Sequence, residues 1–119
     1  TIDPRIQTAA YLHSQDMAIN NFFSHTGSNG SNLAQRINAQ GYSWSRIAEN
    51  IAAGYTTPQE VVAGWMNSSG HRANILNCSY VHTGIGYYYQ SIDQGNVCDA
   101  TDCNNGPFFH YWTQDFAKP

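Results

Sequence analysis

The chain has 119 residues, and five Lys or Arg against eight Asp or Glu give a formal net charge of −3. No basic run occurs, which argues against a nucleic-acid partner, and no apolar stretch reaches the roughly 18 residues of a membrane span. A chain of this length forms one domain, so we treat residues 1–119 as a single unit. Only 11% of the residues are charged. Together with the many uncharged polar residues, this predicts a secreted, extracellular protein.

The N-terminal third predicts two helices. Asp3 followed by Pro4 is typical of an N-cap and first turn, and the first helix is expected to extend to about residue 21. Its inner stripe contains Ile6, Ala9, Ala10, His13, Met17 and Ala18. A hydrogen-bonded core histidine is therefore the preferred interpretation of His13. A second, short helix is predicted from near Ser31 to the stop at Gly41.

The rest of the chain predicts helices followed by a hairpin. The segment "YSWSRIAENIAAG" is ambiguous between a loop and a short strand. Thr57, Pro58 and Glu60 then form the N-cap, first position and capping box of a third helix, and "GHRANIL" predicts one more helical turn. The segments "TGIGYYYQSI" and "FFHYWTQDF" predict two aromatic-rich strands. A helix-covered antiparallel sheet, α+β in class, buries both sets of apolar faces.

Three cysteines leave one without an obvious mate. Cys98 and Cys103 lie close enough along the chain to form a disulfide. Cys78 has two interpretations: a small buried thiol, or the partner of a cysteine upstream of Thr1. Metal binding by the three sulfurs is a weaker alternative, because no Cys-x-x-Cys spacing exists.

The candidates for chemistry are two glutamates and five histidines. Glu60 is explained by its place in the capping box. Glu49 is the better candidate, because it lies between apolar residues where a carboxylate is costly unless it is paired or liganded. His25 follows two phenylalanines at the edge of the core. His82 is predicted to be exposed, and His110 to face solvent or a partner strand. No His-Glu-x-x-His motif, P-loop or nucleophile elbow is present, so local spacing alone assembles no site.

Five ordered motifs extend this interpretation: "FFSHTG", "AENIAAGY", "VVAGWMNSSGHRANIL", "TGIGYYY" and "YWTQDF". In this order they resemble the CAP superfamily of cysteine-rich secretory, antigen 5 and pathogenesis-related proteins, and its compact bacterial-type SCP-like domains most of all. The resemblance covers nearly the whole chain. It implies a three-layer α-β-α sandwich with a central antiparallel sheet. It also implies a helix ahead of the "DPR" region, which we expect this domain to lack, and an upstream cysteine there would explain Cys78.

The resemblance further implies a cleft lined by two histidines and two glutamates. His25, Glu49 and His71 match three of these positions, whereas the position of the second glutamate holds Ser68. Two histidines and one carboxylate are the ligand set of an open divalent metal site, most often zinc. The predicted metal ligands are therefore His25, Glu49 and His71, and Ser68 joins them as a candidate catalytic residue.

Three functions are compatible with these residues. The first is a secreted binding protein whose cleft, flanked by Trp44, Trp65 and Tyr87, takes up a divalent metal and a lipid, sterol or glycan ligand. The second is a metal-dependent extracellular hydrolase of protein, nucleic acid or polysaccharide, with Glu49 or Ser68 assisting. The third is a structural or defence protein without turnover. Because Glu49 cannot act both as a ligand and as a base, the residues favour binding.

Overall fold

The computed structural model describes residues 1–119 and has four helices and three strands. In chain order these are α1 (Pro4–Ile19), α2 (Leu33–Ala39), β1 (Arg46–Ala53), α3 (Pro58–Met66), α4 (Ser69–Leu76), β2 (His82–Tyr89) and β3 (His110–Lys118). The predicted α+β class is confirmed. The predicted order of helices followed by a hairpin is wrong in one respect, because the ambiguous segment forms strand β1 between α2 and α3. None of the helices has the length and apolar character that crossing a membrane requires.

Local capping explains where the helices begin. The Asp3 side chain accepts hydrogen bonds from the backbone N–H groups of Arg5 and Ile6, and α1 ends at Ile19, two residues before the predicted end. All six residues of the predicted inner stripe are buried. At α2 the N-cap is Asn32, one residue after the predicted start, and it forms a complete capping box with Gln35.

The capping box predicted for α3 is only half formed. The Thr57 hydroxyl accepts the Glu60 N–H at 3.2 Å, but the Glu60 carboxylate accepts from the Thr56 hydroxyl at 3.3 Å. It does not return to the backbone of Thr57. Glu60 is therefore an exposed helix-start residue, as its spacing predicted.

The three strands form an antiparallel sheet in the order β1-β3-β2. Side chains alternate across it, so residues such as Ile51 and Tyr111 face α1, whereas Ala52 and Trp112 pack against Val61 and Trp65 of α3. Ile37 of α2 packs on the same side as α1. Helices thus cover both faces, and the predicted α-β-α sandwich is confirmed.

The cysteines occupy exposed parts of the fold. Cys98 and Cys103 form the predicted disulfide in the long connection between β2 and β3. Cys78 is a free, exposed thiol just after α4, so the interpretation of a small buried thiol is wrong. Nothing in the fold gives Cys78 a partner within the chain.

Two glycines of β2 set the distance between α1 and the sheet. A Cβ atom at Gly84 would overlap the backbone of Gln7, and one at Gly86 would overlap the backbone of Tyr11. The neighbours are helix backbone rather than flexible side-chain ends, so they cannot yield locally. Helix α1 therefore lies directly on β2, and the buried side chains of α1 reach β3 at the centre of the sheet.

We expect Gly86→Ala to destabilise the fold by about 3 kcal/mol, because the added methyl forces α1 away from the sheet. The free energy of unfolding in urea measures this. Gly70→Ala is the matched control, since nothing lies within 4 Å of a Cβ at that position. In helix α4 alanine is favoured over glycine by roughly 0.5–1 kcal/mol. Equal effects of the two substitutions would contradict the proposed close packing.

Candidate functional site

Three of the four predicted site residues come from different elements and meet near one cleft. His25 lies in the loop after α1, Glu49 lies in β1, and His71 lies in α4. His25 and His71 line a cleft of about 330 Å³. Glu49 does not line the cleft but is hydrogen-bonded to His25. Ser68, the fourth predicted residue, contacts His71. The tertiary fold thus brings together residues that sequence spacing could not connect.

Glu49 is a buried carboxylate held by two partners. Its side chain is 2% exposed, and its Oε1 accepts the Nδ1–H of His25 at 2.8 Å. Arg36 Nη1 donates to Oε2 at 2.7 Å and Arg36 Nη2 donates to Oε1 at 3.2 Å. Burial acts to raise the pKa of Glu49, but the hydrogen bonds from His25 and Arg36 outweigh it and hold that pKa far below its ordinary value. The Glu49 carboxylate is therefore ionised, and both of its oxygens accept hydrogen bonds from protein groups.

Asp115 of β3 lies directly opposite Glu49 in the sheet and on the same face. Asp115 is completely buried, and neither of its carboxyl oxygens has a hydrogen-bond partner within the protein. Burial, followed by the nearby charge of Glu49, raises the pKa of Asp115 well above its ordinary value. The raised pKa favours the neutral acid at this position, which avoids a second buried negative charge beside Glu49.

His71 is held by the residue that replaces the expected glutamate. Ser68 is the N-cap of α4, yet its hydroxyl caps no backbone N–H. A hydrogen bond of 2.9 Å joins Ser68 Oγ to His71 Nδ1 instead. Burial, together with the nearby charge of His25, lowers the pKa of His71 below its ordinary value, so the ring is neutral at neutral pH.

The Nε2 atoms of His25 and His71 are the free polar groups of the cleft. Neither atom makes a hydrogen bond within the protein, and neither is buried. With each Nδ1 hydrogen-bonded on the protein side, each Nε2 is left for a partner from solvent. The cleft is lined by Phe23, Ser24, His25, Ile51, His71, Asp99, Ala100 and Thr101. Its last three residues come from the loop that the Cys98–Cys103 disulfide closes.

The aromatic residues predicted to flank the cleft lie elsewhere. Trp65 is 2% exposed and packs in the core between α3 and the sheet, where its Nε1 donates to Ile51 O. Trp44 packs beside α2 and donates to Asn38. Tyr87 stacks against His110 and contacts Trp112 on the other face of the sheet. The prediction for these three residues is wrong, and Phe23 and Ile51 provide the apolar surface.

The remaining histidines do not line the cleft. His13 is fully buried and its Nε2 hydrogen-bonds to Ser24 O at 2.7 Å, which confirms the core interpretation. Burial lowers the pKa of His13 despite the opposing charge of Glu49. His82, predicted to be exposed, is half-buried with its Nδ1 on the Tyr42 hydroxyl at 2.7 Å, so that prediction is wrong. His110 bonds the Tyr87 hydroxyl of the partner strand.

No group of three or more His, Cys, Asp or Glu side chains is arranged to hold a metal ion. The predicted ligand set of His25, Glu49 and His71 therefore finds no support as a three-residue cluster. The physical reason is that the Glu49 oxygens are already taken by Arg36 and His25. Of the three predicted ligands, only His25 and His71 have a ring nitrogen without a hydrogen-bond partner, and that nitrogen could bind a metal.

Comparison with known proteins agrees with the motifs and the fold. The family model described as "CAP: Cysteine-rich secretory protein family" matches residues 1–116. The chain belongs to this family. Among curated relatives, the CAP domain is 36% identical over 115 residues to "Uncharacterized protein YkwD" of Bacillus subtilis, covering 97% of this chain and 38% of YkwD. It is 40% identical over 87 residues to "Uncharacterized membrane protein YlbC" of the same organism, covering 70% of this chain and 25% of YlbC. The CAP domain thus spans well under half of either relative.

Solved structures share the architecture of the CAP domain. An extracellular protein containing an SCP domain from Bacillus anthracis superposes with a TM-score of 0.77 at 28% identity, over 100% of this chain and 33% of that one. An outer surface protein from Borrelia burgdorferi gives 0.78 at 20% identity, over 98% and 75%. A cysteine-rich secretory protein from Staphylococcus aureus gives 0.65 at 15% identity, over 99% and 31%. The last two likenesses show the fold alone.

Sequence reasoning missed Arg36, Asp115 and the contribution of the disulfide loop to the cleft of the CAP domain. In the sequence, Arg36 is one more cation in the last turn of a short helix, where a positive charge interacts favourably with the helix dipole. Its position therefore did not indicate a role in the site. Asp115 did offer a signal. It lies in a strand between a glutamine and a phenylalanine, and a carboxyl group on a buried strand face requires a partner.

We expect Asp115→Asn to stabilise the CAP domain at neutral pH, because an uncharged amide beside Glu49 needs no bound proton to avoid a second buried charge. The raised pKa of Asp115 contributes stability below its unfolded value of about 3.8 and loses it as pH rises towards the folded value. The stability difference between variant and wild type should therefore grow with pH above 4, by up to about 1.4 kcal/mol per pH unit. Urea unfolding between pH 4 and pH 8 measures it.

Asp115→Leu is the matched control: it also removes the titrating group, so its stability relative to wild type should change with pH by the same slope, but from a lower starting value because no polar group is left beside Glu49. A constant difference between Asp115→Asn and wild type across the range would show that Asp115 is ionised.

Proposed function

We propose that the chain is the CAP domain of an extracellular protein and that its cleft binds a divalent metal, with zinc the best match, through the Nε2 atoms of His25 and His71. The observation that carries the proposal is the pair of solvent-accessible Nε2 atoms, each on a ring whose Nδ1 is fixed by the protein. Imidazole nitrogen is a preferred zinc ligand, and a metal-bound histidine almost always donates its other N–H to a second group.

The residues of the cleft fit a divalent metal both as ligands and as hydrogen-bond partners of those ligands. Glu49 and Ser68 would act as the hydrogen-bond partners of the two ligands, a role that carboxylates and hydroxyls fill beneath many metal sites. The low pKa of His71 keeps its ring neutral and able to bind. A bound metal would supply a Lewis acid beside the apolar surface of Phe23 and Ile51. The cleft would accept a small ligand with an apolar body and one polar group. This class is narrower than the lipid, sterol or glycan ligands predicted from the sequence.

An extracellular location is supported by three features. The composition is polar and uncharged, the chain contains a disulfide, and disulfides persist in oxidising compartments. The Bacillus anthracis protein, 28% identical to this chain, is described as extracellular.

The alternative of a metal-dependent hydrolase has less support. A hydrolase needs a general base within reach of the attacking water. Glu49 is committed to Arg36 and His25, and Ser68 to His71. Asp99 lines the cleft, but its Oδ1 accepts three hydrogen bonds from within its own loop. We therefore favour binding over turnover, and a screen against protein, nucleic-acid and polysaccharide substrates addresses the alternative directly.

We expect the purified protein to bind Zn²⁺ in isothermal titration calorimetry, and His71→Ala to lose that binding, because one of the two protein ligands is removed. Affinity should also fall as pH decreases and the imidazoles take up protons. His110→Ala is the matched control, since His110 bonds Tyr87 outside the cleft. Zinc binding that survives His71→Ala, or that is lost equally in His110→Ala, would end the proposal.

Ser68→Ala should retain zinc but bind it about tenfold more weakly, because loss of a partner to a ligand histidine costs 10- to 100-fold in affinity. The same titration measures it. Thr57→Ala, which removes a hydroxyl from the N-cap of the neighbouring helix α3, is the control for general destabilisation. Unchanged zinc affinity in Ser68→Ala would show that the hydroxyl does not orient His71.

A further inference from the structure

His25 stands on a loop with little to hold its ring. Its side chain is 58% exposed, and the one hydrogen bond its ring makes is from Nδ1 to Glu49. A neutral imidazole exists in two tautomers, and the hydrogen bond at one nitrogen decides which nitrogen keeps its lone pair. The chemistry of His25 Nε2 therefore depends on how firmly Glu49 is held.

Arg36 holds Glu49 and His25 at the same time. Its guanidinium donates to both Glu49 oxygens, and Nη2 also donates to the backbone carbonyl of His25 at 2.5 Å. One side chain thus fixes the main chain of His25 directly and its ring through Glu49. A planar guanidinium with several fixed donors can serve these acceptors together, which a lysine ammonium on a flexible stem cannot do as well.

The surroundings of Arg36 favour this geometry. Its side chain is only 11% exposed, and α2, which carries it, is fixed at its start by the complete capping box of Asn32 and Gln35. Helix α2, the His25 loop and strand β1 consequently meet at a single guanidinium. None of the motifs that identified the site includes Arg36.

We propose that Arg36 is a positioning residue of the cleft, which locks His25 in the tautomer that carries its proton on Nδ1 and leaves Nε2 open to the cleft. This inference deepens the proposed function, because it rests on His25 Nε2 being the atom that binds. In this arrangement Glu49 connects Arg36 to His25 through hydrogen bonds, and it is not itself a metal ligand. A merely structural Arg36 would affect stability and leave the tautomer unchanged.

The test uses long-range ¹H–¹⁵N correlation spectra of the metal-free protein near pH 8, which identify the protonated nitrogen of each histidine. Wild type should show His25 protonated on Nδ1, and Arg36→Met should show a mixture of tautomers. Zinc affinity by calorimetry should fall about tenfold, the range expected when the support of a ligand is lost. The tautomer of His71, whose Nδ1 contacts Ser68 and not Glu49 or Arg36, should not change.

Two further variants make the result decisive. Arg46→Met is the matched control, because this arginine contacts Ser79 and Tyr80 away from the cleft. Arg36→Lys keeps the charge and should restore part of the Nδ1 signal, and it decides the question if Arg36→Met does not fold by near-ultraviolet circular dichroism. A folded variant at position 36 that keeps the wild-type His25 tautomer overturns the proposal.

The two proposals fail in distinguishable ways. Absence of zinc binding in wild type would end the proposed function, while the spectra of the metal-free protein would still decide the role of Arg36. Conversely, wild-type zinc binding with an unchanged tautomer and unchanged affinity in Arg36→Met would leave the cleft intact and remove Arg36 from it.

Discussion

The burial of the Glu49 carboxylate is the constraint on which the site depends. A charged carboxylate taken out of water costs several kcal/mol unless its oxygens are paired and hydrogen-bonded. Here one helix supplies a guanidinium and one loop supplies an imidazole N–H. Because these donors come from separate elements, satisfying Glu49 and assembling the cleft are the same event. Removing either donor leaves a buried charge that the other compensates only in part.

The arrangement also separates the groups that contact solvent from those that hold them. The two imidazoles present Nε2 to the cleft, while Glu49 and Ser68 act on the opposite nitrogen of each ring. Where the family pattern has a second glutamate, this chain has Ser68, an uncharged hydroxyl that is hydrogen-bonded to His71. The cleft therefore carries less negative charge than the full tetrad would, and its ligand preference follows from two imidazole Nε2 atoms beside an apolar surface.

Much of the fold could be predicted because its signals are local. Asp3 and Pro4 start α1, Thr57 and Pro58 start α3, and the buried stripe of α1 follows helical spacing. Strand β1 was ambiguous for a physical reason: helices cover both faces of the sheet there, so four consecutive residues are buried and the alternation typical of a strand is lost. The tertiary partners could not be predicted in this way. Arg36 acts across 13 positions, Asp115 acts across the sheet, and Trp65 proved to be core rather than cleft.

One wall of the cleft is built differently from the rest. Asp99, Ala100 and Thr101 belong to a loop closed by the Cys98–Cys103 disulfide, and Cys98 exchanges backbone hydrogen bonds with Asn21 and Phe23, just before His25. The other walls rest on the hydrophobic core, whereas this one rests on a covalent bond that a thiol reductant can break. In a reducing compartment this wall would lose its covalent link, and the backbone hydrogen bonds of Cys98 to Asn21 and Phe23 would then carry its attachment beside His25.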